Sequence, residues 1–340
     1  MRIDKLAPGD GRFQPFAIRV RGKIYRGIRC EPEELPVATM FLIHGFPDLG
    51  FGWRYQVPYF VSLGFRVVVP DMLGFGATDA PEDLEHYTFK NIASDIKDLA
   101  SNIVGDGQVI LGGHDWGGAV AWRTALWYPD LVLGVFSIGT PYIPPSPTFS
   151  SLEDVVKSER LANFSYQLQF KGVAVEEEIQ DGNKVRQFLN ALYGGMGSRG
   201  ETGFNTKDGV LFENLAVLNR SRLLTENELD YYAEKYLLRG NKVMKGPLNW
   251  YRTRELNYND ELALLRTQHK FQMPALFLEV TRDEALPPAI SIGMEKYFEN
   301  LTRGQVEASH WALWEAPTEV NKQVGEWTVE ALRGKLSFSG

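Results

Sequence analysis

The sequence predicts an α/β fold: a mostly parallel central sheet flanked by helices, with a mainly helical lid inserted into it. Three observations carry that expectation. Through the first 140 residues, short apolar runs rich in β-branched residues alternate with helical periods, as strands buried on both faces alternate with crossover helices. The rhythm lapses after residue 140 for roughly 120 residues. It resumes near the C-terminus. The expected division is a core of residues 1–140 and 262–340 around a lid of residues 141–261.

Taken in order, the expected strands are "ATMFLIHGF" (38–46), "FRVVVPD" (65–71), "GQVILGGHD" (107–115) and "LVLGVFSIGT" (131–140). Between them, Ile92, Ile96, Leu99 and Ile103 step by four, three and four, one apolar stripe on a helix. The stretch 117–127, "GGAVAWRTALW", reads as a helix that stops before Pro129. "TPYIPPSPTFS" then breaks the pattern with four prolines, and a polar, aromatic, helix-prone region follows to about residue 260. Within it, "YGGMGSRGETGF" (193–204) follows no strand and lacks the lysine of a phosphate cradle, so it reads as a plain loop. "MPALFLEVTRD" (273–283) and "RGQVEAS" (303–309) restore the strands, and a last helix carries Val320, Val324, Trp327 and Ala331.

Composition narrows the function. With 44% apolar and 23% charged residues among 340, the chain has the balance of a soluble globular enzyme. A net charge of -7 opposes binding to nucleic acid or to anionic membranes. The single cysteine, Cys30, rules out an internal disulfide and suits a reducing compartment. "MRIDKLAPGDGRF" lacks the apolar core of a signal peptide, and no stretch approaches the roughly 20 apolar residues of a membrane span. "KLSFSG" at the end is no peroxisomal address, so a cytoplasmic location without membrane insertion is expected.

The chemistry centres on "GGHDWGG" (112–118). Glycines two residues either side of Asp115 let the chain turn sharply from strand to helix, which is the context of a nucleophile elbow. Backbone N–H groups and the helix dipole at that point favour a negative group. The simpler reading of Asp115 is a helix N-cap. Two further residues weigh against it. Asp283 ends a strand, where the carboxyl edge of a parallel sheet builds active sites, and His310 stands in the final loop. Glu279, Glu284 and Glu255 compete with Asp283 as the acid, and position favours Asp283. Of the other histidines, His86 and His269 read as solvent-facing, while His44 and His114 read as braces. "HGFPD" (44–48) closes a strand, so the N–H groups of Phe46 and Trp116 are expected to share one oxyanion hole.

Together "HGFP", "GGHDWGG", "TRD" and "SHW" resemble the soluble epoxide hydrolases of the α/β-hydrolase superfamily, over residues 12 to 333. "NFSYQLQF" (163–170) and "GPLNWYR" (246–252) are similar to that family's two lid-tyrosine segments, which implies Tyr166 and Tyr251 as proton donors. From the residues alone, Tyr142, Tyr193, Tyr231, Tyr232, Tyr236 and Tyr258 are rivals for that part. The resemblance also implies a cis bond between Phe46 and Pro47. Two-domain vertebrate members carry an added N-terminal phosphatase domain. Only about 35 residues precede the first expected core strand here, so that activity is not expected.

A carboxylate nucleophile needs no base to lose a proton and can displace a leaving group from saturated carbon, forming an ester on Asp115. Water activated by His310, oriented by Asp283, would then hydrolyse that ester. Epoxides and alkyl halides are the two substrate classes. An epoxide opens to a basic alkoxide that needs a proton, which a tyrosine can give; a halide needs only dipoles such as the Trp116 indole. Phe46 stands where haloalkane dehalogenases commonly have asparagine, which favours epoxides, with haloalkane dehalogenation as the alternative. An idle binding protein on the same scaffold is a weaker third reading. Phe46, Trp116, Phe164 and Trp311 are expected to line an apolar pocket for a lipophilic epoxide. The expected partners are that small molecule and water, with no cofactor and no metal.

Overall fold

A computed structural model of the protein describes residues 3–266, 270–331 and 333. Eight strands form one sheet: β1 (Gln14–Val20), β2 (Lys23–Cys30), β3 (Thr39–Ile43), β4 (Arg66–Pro70), β5 (Val109–His114), β6 (Val132–Ile138), β7 (Ala275–Val280) and β8 (Leu301–Val306). Their spatial order is β1-β2-β4-β3-β5-β6-β7-β8. From β4 to β8 every neighbouring pair is parallel, and the β1–β2 hairpin joins antiparallel at one edge. The strands β3, β5 and β6 are buried along their whole length, which is why they read as unbroken apolar runs.

The hairpin was not among the expected strands. It lies inside the 35 residues before β3, exposes one face, and mixes charged residues into its alternation. Its turn is Arg21-Gly22, both at positive φ. That is the backbone of a tight two-residue turn, without the Asn-Gly or Asp-Gly that usually announces one.

Helix α1 (Phe89–Val104) buries Ile92, Ile96 and Leu99 on one face and is capped by Thr88, whose hydroxyl accepts from Asn91 N–H. Helix α2 (Trp116–Trp127) follows β5 directly and is almost wholly buried. Between β6 and β7 no strand of the large sheet occurs among the described residues. This interval holds short helices, among them α3 (Tyr166–Lys171), α4 (Gly182–Leu192), α5 (Glu226–Leu237) and α6 (Arg254–Glu261). The stretch expected as a plain loop is more ordered than that. Met196–Gly197 pairs with Leu218–Asn219, and Phe204–Asn205 with Gly209–Val210. Gly203 serves close packing there: a Cβ on it would stand 2.5 Å from Ala191 and from Leu218. Helix α7 (Pro317–Ala331) buries Val320, Val324 and Trp327. No described helix is long and apolar enough to cross a membrane. His269 and the terminal "KLSFSG" lie outside the described residues, as does the side chain of Ala331.

Candidate active site

Asp115 sits between β5 and α2 at φ 54, ψ -128, a region that non-glycine residues avoid. The surrounding glycines make the turn possible by absence of side chains. A Cβ on Gly113 would meet the Gly117 carbonyl at 2.1 Å, and one on Gly117 would meet the Ile43 carbonyl at 2.0 Å. The Asp115 carbonyl is held by Gly118 N–H at 3.0 Å and by the Thr140 hydroxyl at 2.7 Å. The strained backbone of Asp115 is therefore held at its carbonyl by the helix start and by the loop after β6.

The parallel register of β3 and β5, with Ile43 beside Gly113, brings the "HGFPD" loop against the elbow. Gly45 packs so closely that a Cβ there would lie 2.1 Å from Asp115 Oδ1. Phe46 N–H donates to that Oδ1 at 2.8 Å, and the Trp116 N–H also favours the charged carboxylate. The bond between Phe46 and Pro47 is cis. His44 sits beneath: it accepts from Met72 N–H at Nε2, so its Nδ1 donates to the Gly45 carbonyl.

His310 and Asp283 complete the cluster. His310 Nδ1 lies 2.8 Å from Asp283 Oδ2, and its Nε2 lies 3.8 Å from Asp115 Oδ2. Asp283 Oδ1 accepts the N–H groups of Ala285 and Leu286, which fixes the carboxylate that faces the ring. His114 Nε2 is 2.8 Å from the His310 carbonyl and ties the elbow to the histidine loop. Of the rival acids, Glu279 pairs with Arg303, Glu255 is exposed on α6, and Glu284 lines the cavity.

Electrostatics follow from burial and neighbours. Burial pushes the Asp115 carboxyl up, opposed by the His310 charge and the N–H groups of Phe46 and Trp116. Burial works against a charged His310, but the negative charge of Asp283, its hydrogen bond and Asp115 outweigh this and raise the ring to about 9. Asp283 is likewise disfavoured as an anion by burial, yet His310 holds it below its ordinary value. Burial lowers His114 to about 3 and His44 to about 4, so both are neutral.

A cavity of about 260 Å³ opens over Asp115. Its wall includes Phe46, Tyr166, Phe170, Tyr251, His310 and Trp311. The rings of Tyr166 and Tyr251 are 6.3 Å apart, and burial raises both phenols, with the nearby Asp115 charge adding to the effect. Of the rival tyrosines, Tyr193, Tyr232 and Tyr236 are buried against the loop after β3, and the Tyr258 hydroxyl donates to the Pro147 carbonyl. Tyr142 packs between Trp122 and Phe271, and Tyr231 packs on Phe51.

Two expected lining residues lie elsewhere. Phe164 is two residues before Tyr166, and a helical turn points such neighbours in different directions. Trp116 stands edge-on to Tyr251 at 5.2 Å and lines a separate cavity of about 290 Å³ behind it. Phe170 was missed, although it lies four residues after Tyr166 on α3, the spacing that shares a face. Phe204 was also missed; the glycine-rich stretch that carries it gave no signal.

A family model described as alpha/beta hydrolase fold matches residues 38–317. The epoxide hydrolase srdG of Neurospora crassa is 42% identical, covering 98% of this chain and all of that protein. The bifunctional epoxide hydrolase 2 of Mus musculus is 35% identical over 85% of this chain, which spans about half of the mouse protein's length (51%). Among solved structures, epoxide hydrolase A from Mycobacterium thermoresistibile superimposes with a TM-score of 0.75 at 27% identity, covering 94% of this chain and 98% of that one. The chain belongs to the epoxide hydrolase family of the α/β-hydrolase fold.

Proposed function

We propose that the protein converts lipophilic epoxides and water to vicinal diols through an ester on Asp115, in a core of residues 1–140 and 262–340 under a lid of residues 141–261. The observation that carries this reading is a half-buried carboxylate facing a cavity with two phenols in its wall. With Oδ1 held by Phe46 N–H, Oδ2 is the free oxygen. It attacks an epoxide carbon, the carbon–oxygen bond of the ring breaks, and the alkoxide takes a proton from Tyr251 or Tyr166. Their raised phenols keep that proton at neutral pH.

Esterification removes the Asp115 charge, one of the causes that raise His310. The ring then passes its proton, by way of solvent, to the phenolate left by ring opening and takes one from water, whose oxygen attacks Asp115 Cγ. Negative charge develops on Oδ1, where the N–H groups of Phe46 and Trp116 stabilise it. Collapse breaks the bond between Cγ and Oδ2, so the diol leaves with an oxygen of Asp115. His310 protonates the departing alkoxide, the second proton of that water passes from the new Asp115 carboxyl to His310, and water's oxygen stays in the carboxylate until the next turnover. No cofactor or metal enters these steps. A single cysteine, buried and reduced, suits a cytoplasmic enzyme.

Halide release is the poorer fit. The Trp116 ring, which carries the best expected dipole, stands edge-on to Tyr251 and borders the other cavity. The deciding experiment exposes His310→Gln to styrene oxide and weighs the protein. A mass increase equal to one epoxide on the peptide containing Asp115 is expected. Folded variant that binds the epoxide and yields only unmodified peptide overturns the covalent route.

A further inference from the structure

The loop that carries the Phe46 N–H is gripped from the lid by three phenols. Tyr236 OH donates to the Pro47 carbonyl at 2.7 Å, and Tyr193 OH donates to the same oxygen at 3.2 Å. Tyr232 OH donates to Asp48 Oδ1 at 2.6 Å. All three tyrosines are fully or almost fully buried, and so are Phe46 and Asp48. Tyr232 and Tyr236 are four residues apart on α5, one face of the helix, while Tyr193 follows the last turn of α4. The helix is itself fixed at its start. Glu228 of α5 pairs with buried Arg54 at 3.0 Å and with Lys5 at 2.7 Å, and it closes a capping box with Thr225.

The two hydrogen bonds to Pro47 end one residue from the donor that holds Asp115, and the one to Asp48 ends two residues from it. Pro47 offers no N–H, so the loop's grip on the lid at that residue runs through its carbonyl. We infer that Tyr193 and Tyr236 are positioning residues for the oxyanion donor: through the Pro47 carbonyl they hold the Phe46 N–H on Asp115 Oδ1. This rests on the proposed ester route. Its consequence is specific to one step. During alkylation Oδ1 starts with charge and loses it, so a loosened donor does not slow attack by Oδ2. During ester hydrolysis Oδ1 starts neutral and gains charge, so the same loosening slows that step.

The test is the double variant Tyr193→Phe/Tyr236→Phe, which removes both hydroxyls from Pro47 and keeps the rings. Losing one oxyanion donor outright commonly costs 100- to 1000-fold, so a misplaced one should slow hydrolysis by about 10-fold. When hydrolysis limits turnover, kcat and KM fall together while kcat/KM, which reports alkylation, stays within about twofold. Mass analysis of the enzyme during turnover of styrene oxide should show the ester accumulating. A fall in kcat/KM without ester, or kinetics indistinguishable from wild type, overturns the inference. Should the double variant not fold, Tyr236→Phe alone carries the same test at smaller amplitude, about threefold, since Tyr193 still reaches Pro47. His310→Gln separates the two failures. If it traps an ester and the phenol variants do not, the positioning role is wrong and the ester route survives; if it traps none, the route itself falls.

Discussion

His310 lies between the buried Asp283 and the half-buried Asp115, and that placement couples the site to stability. Its ring is raised from an ordinary value of 6.5 to about 9 in the folded chain. A cationic group raised in this way contributes stability that is complete below pH 6.5 and disappears as pH climbs through 9, because only the folded state holds the proton in that window. Glutamine at this position cannot charge and leaves Asp115 and Asp283 without their cation. Wild type should therefore exceed His310→Gln in melting temperature most at pH 6, with the gap narrowing by about pH 9.5. Thermal melts at the two pH values measure it, and a gap that stays constant or widens refutes the assignment of charge. The elbow itself was legible because its constraints are local: glycines at 113 and 117 are demanded by atoms within a few residues or on the adjacent strand. The phenols on Pro47 were not legible. They reach across 146 and 189 residues of sequence, and nothing local marks a tyrosine that donates to a distant carbonyl.

Helix α2 begins beside Asp115 and is bound to the lid's last helix by a buried ion pair. Arg123 Nε and Nη2 donate to the two Glu261 oxygens at 2.6 and 3.0 Å, and both side chains are about one-tenth exposed. A forked pair of this kind can be neutral against an apolar replacement, but removing one partner strands a buried charge. Arg123→Ala should lose about 3–5 kcal/mol of stability, whereas Arg123→Met combined with Glu261→Leu should lose distinctly less. Urea denaturation of both variants decides this; equal losses would mean that packing, not charge, sets the effect. Elements were readable from sequence where one rule governs them. Continuous apolar runs marked β3 to β6, since helices cover both faces. The β1–β2 hairpin escaped because an edge strand keeps one face in water, and its arginines and lysine blur the alternation. Phe164 was misplaced because a segment match says nothing of which way each helical side chain points.

At the scale of the whole molecule, lid and sheet share one apolar interior. The buried cluster runs without a break from Val109 and Phe136 on the strands to Phe170, Leu189 and Tyr232 beneath the lid helices. Polar ties cross the same boundary. Trp250 Nε1 donates to the Leu73 carbonyl at 2.9 Å, and Trp311 Nε1 donates to the Leu192 carbonyl at 3.0 Å. The lid helices are short, and isolated helices of that length are not stable in water. Their order derives from the surface they cover, and the cavity over Asp115 is formed by the two parts together. The lid should therefore not melt ahead of the core. Tryptophan fluorescence, which sums Trp250 and Trp311 at the boundary with the six other tryptophans, and far-UV circular dichroism, reporting on the helices and sheet, should give coincident transitions on heating. An earlier fluorescence change with the sheet signal intact would show a lid that opens as a unit of its own. That outcome would also separate the two phenols in the cavity wall from the carboxylate below them.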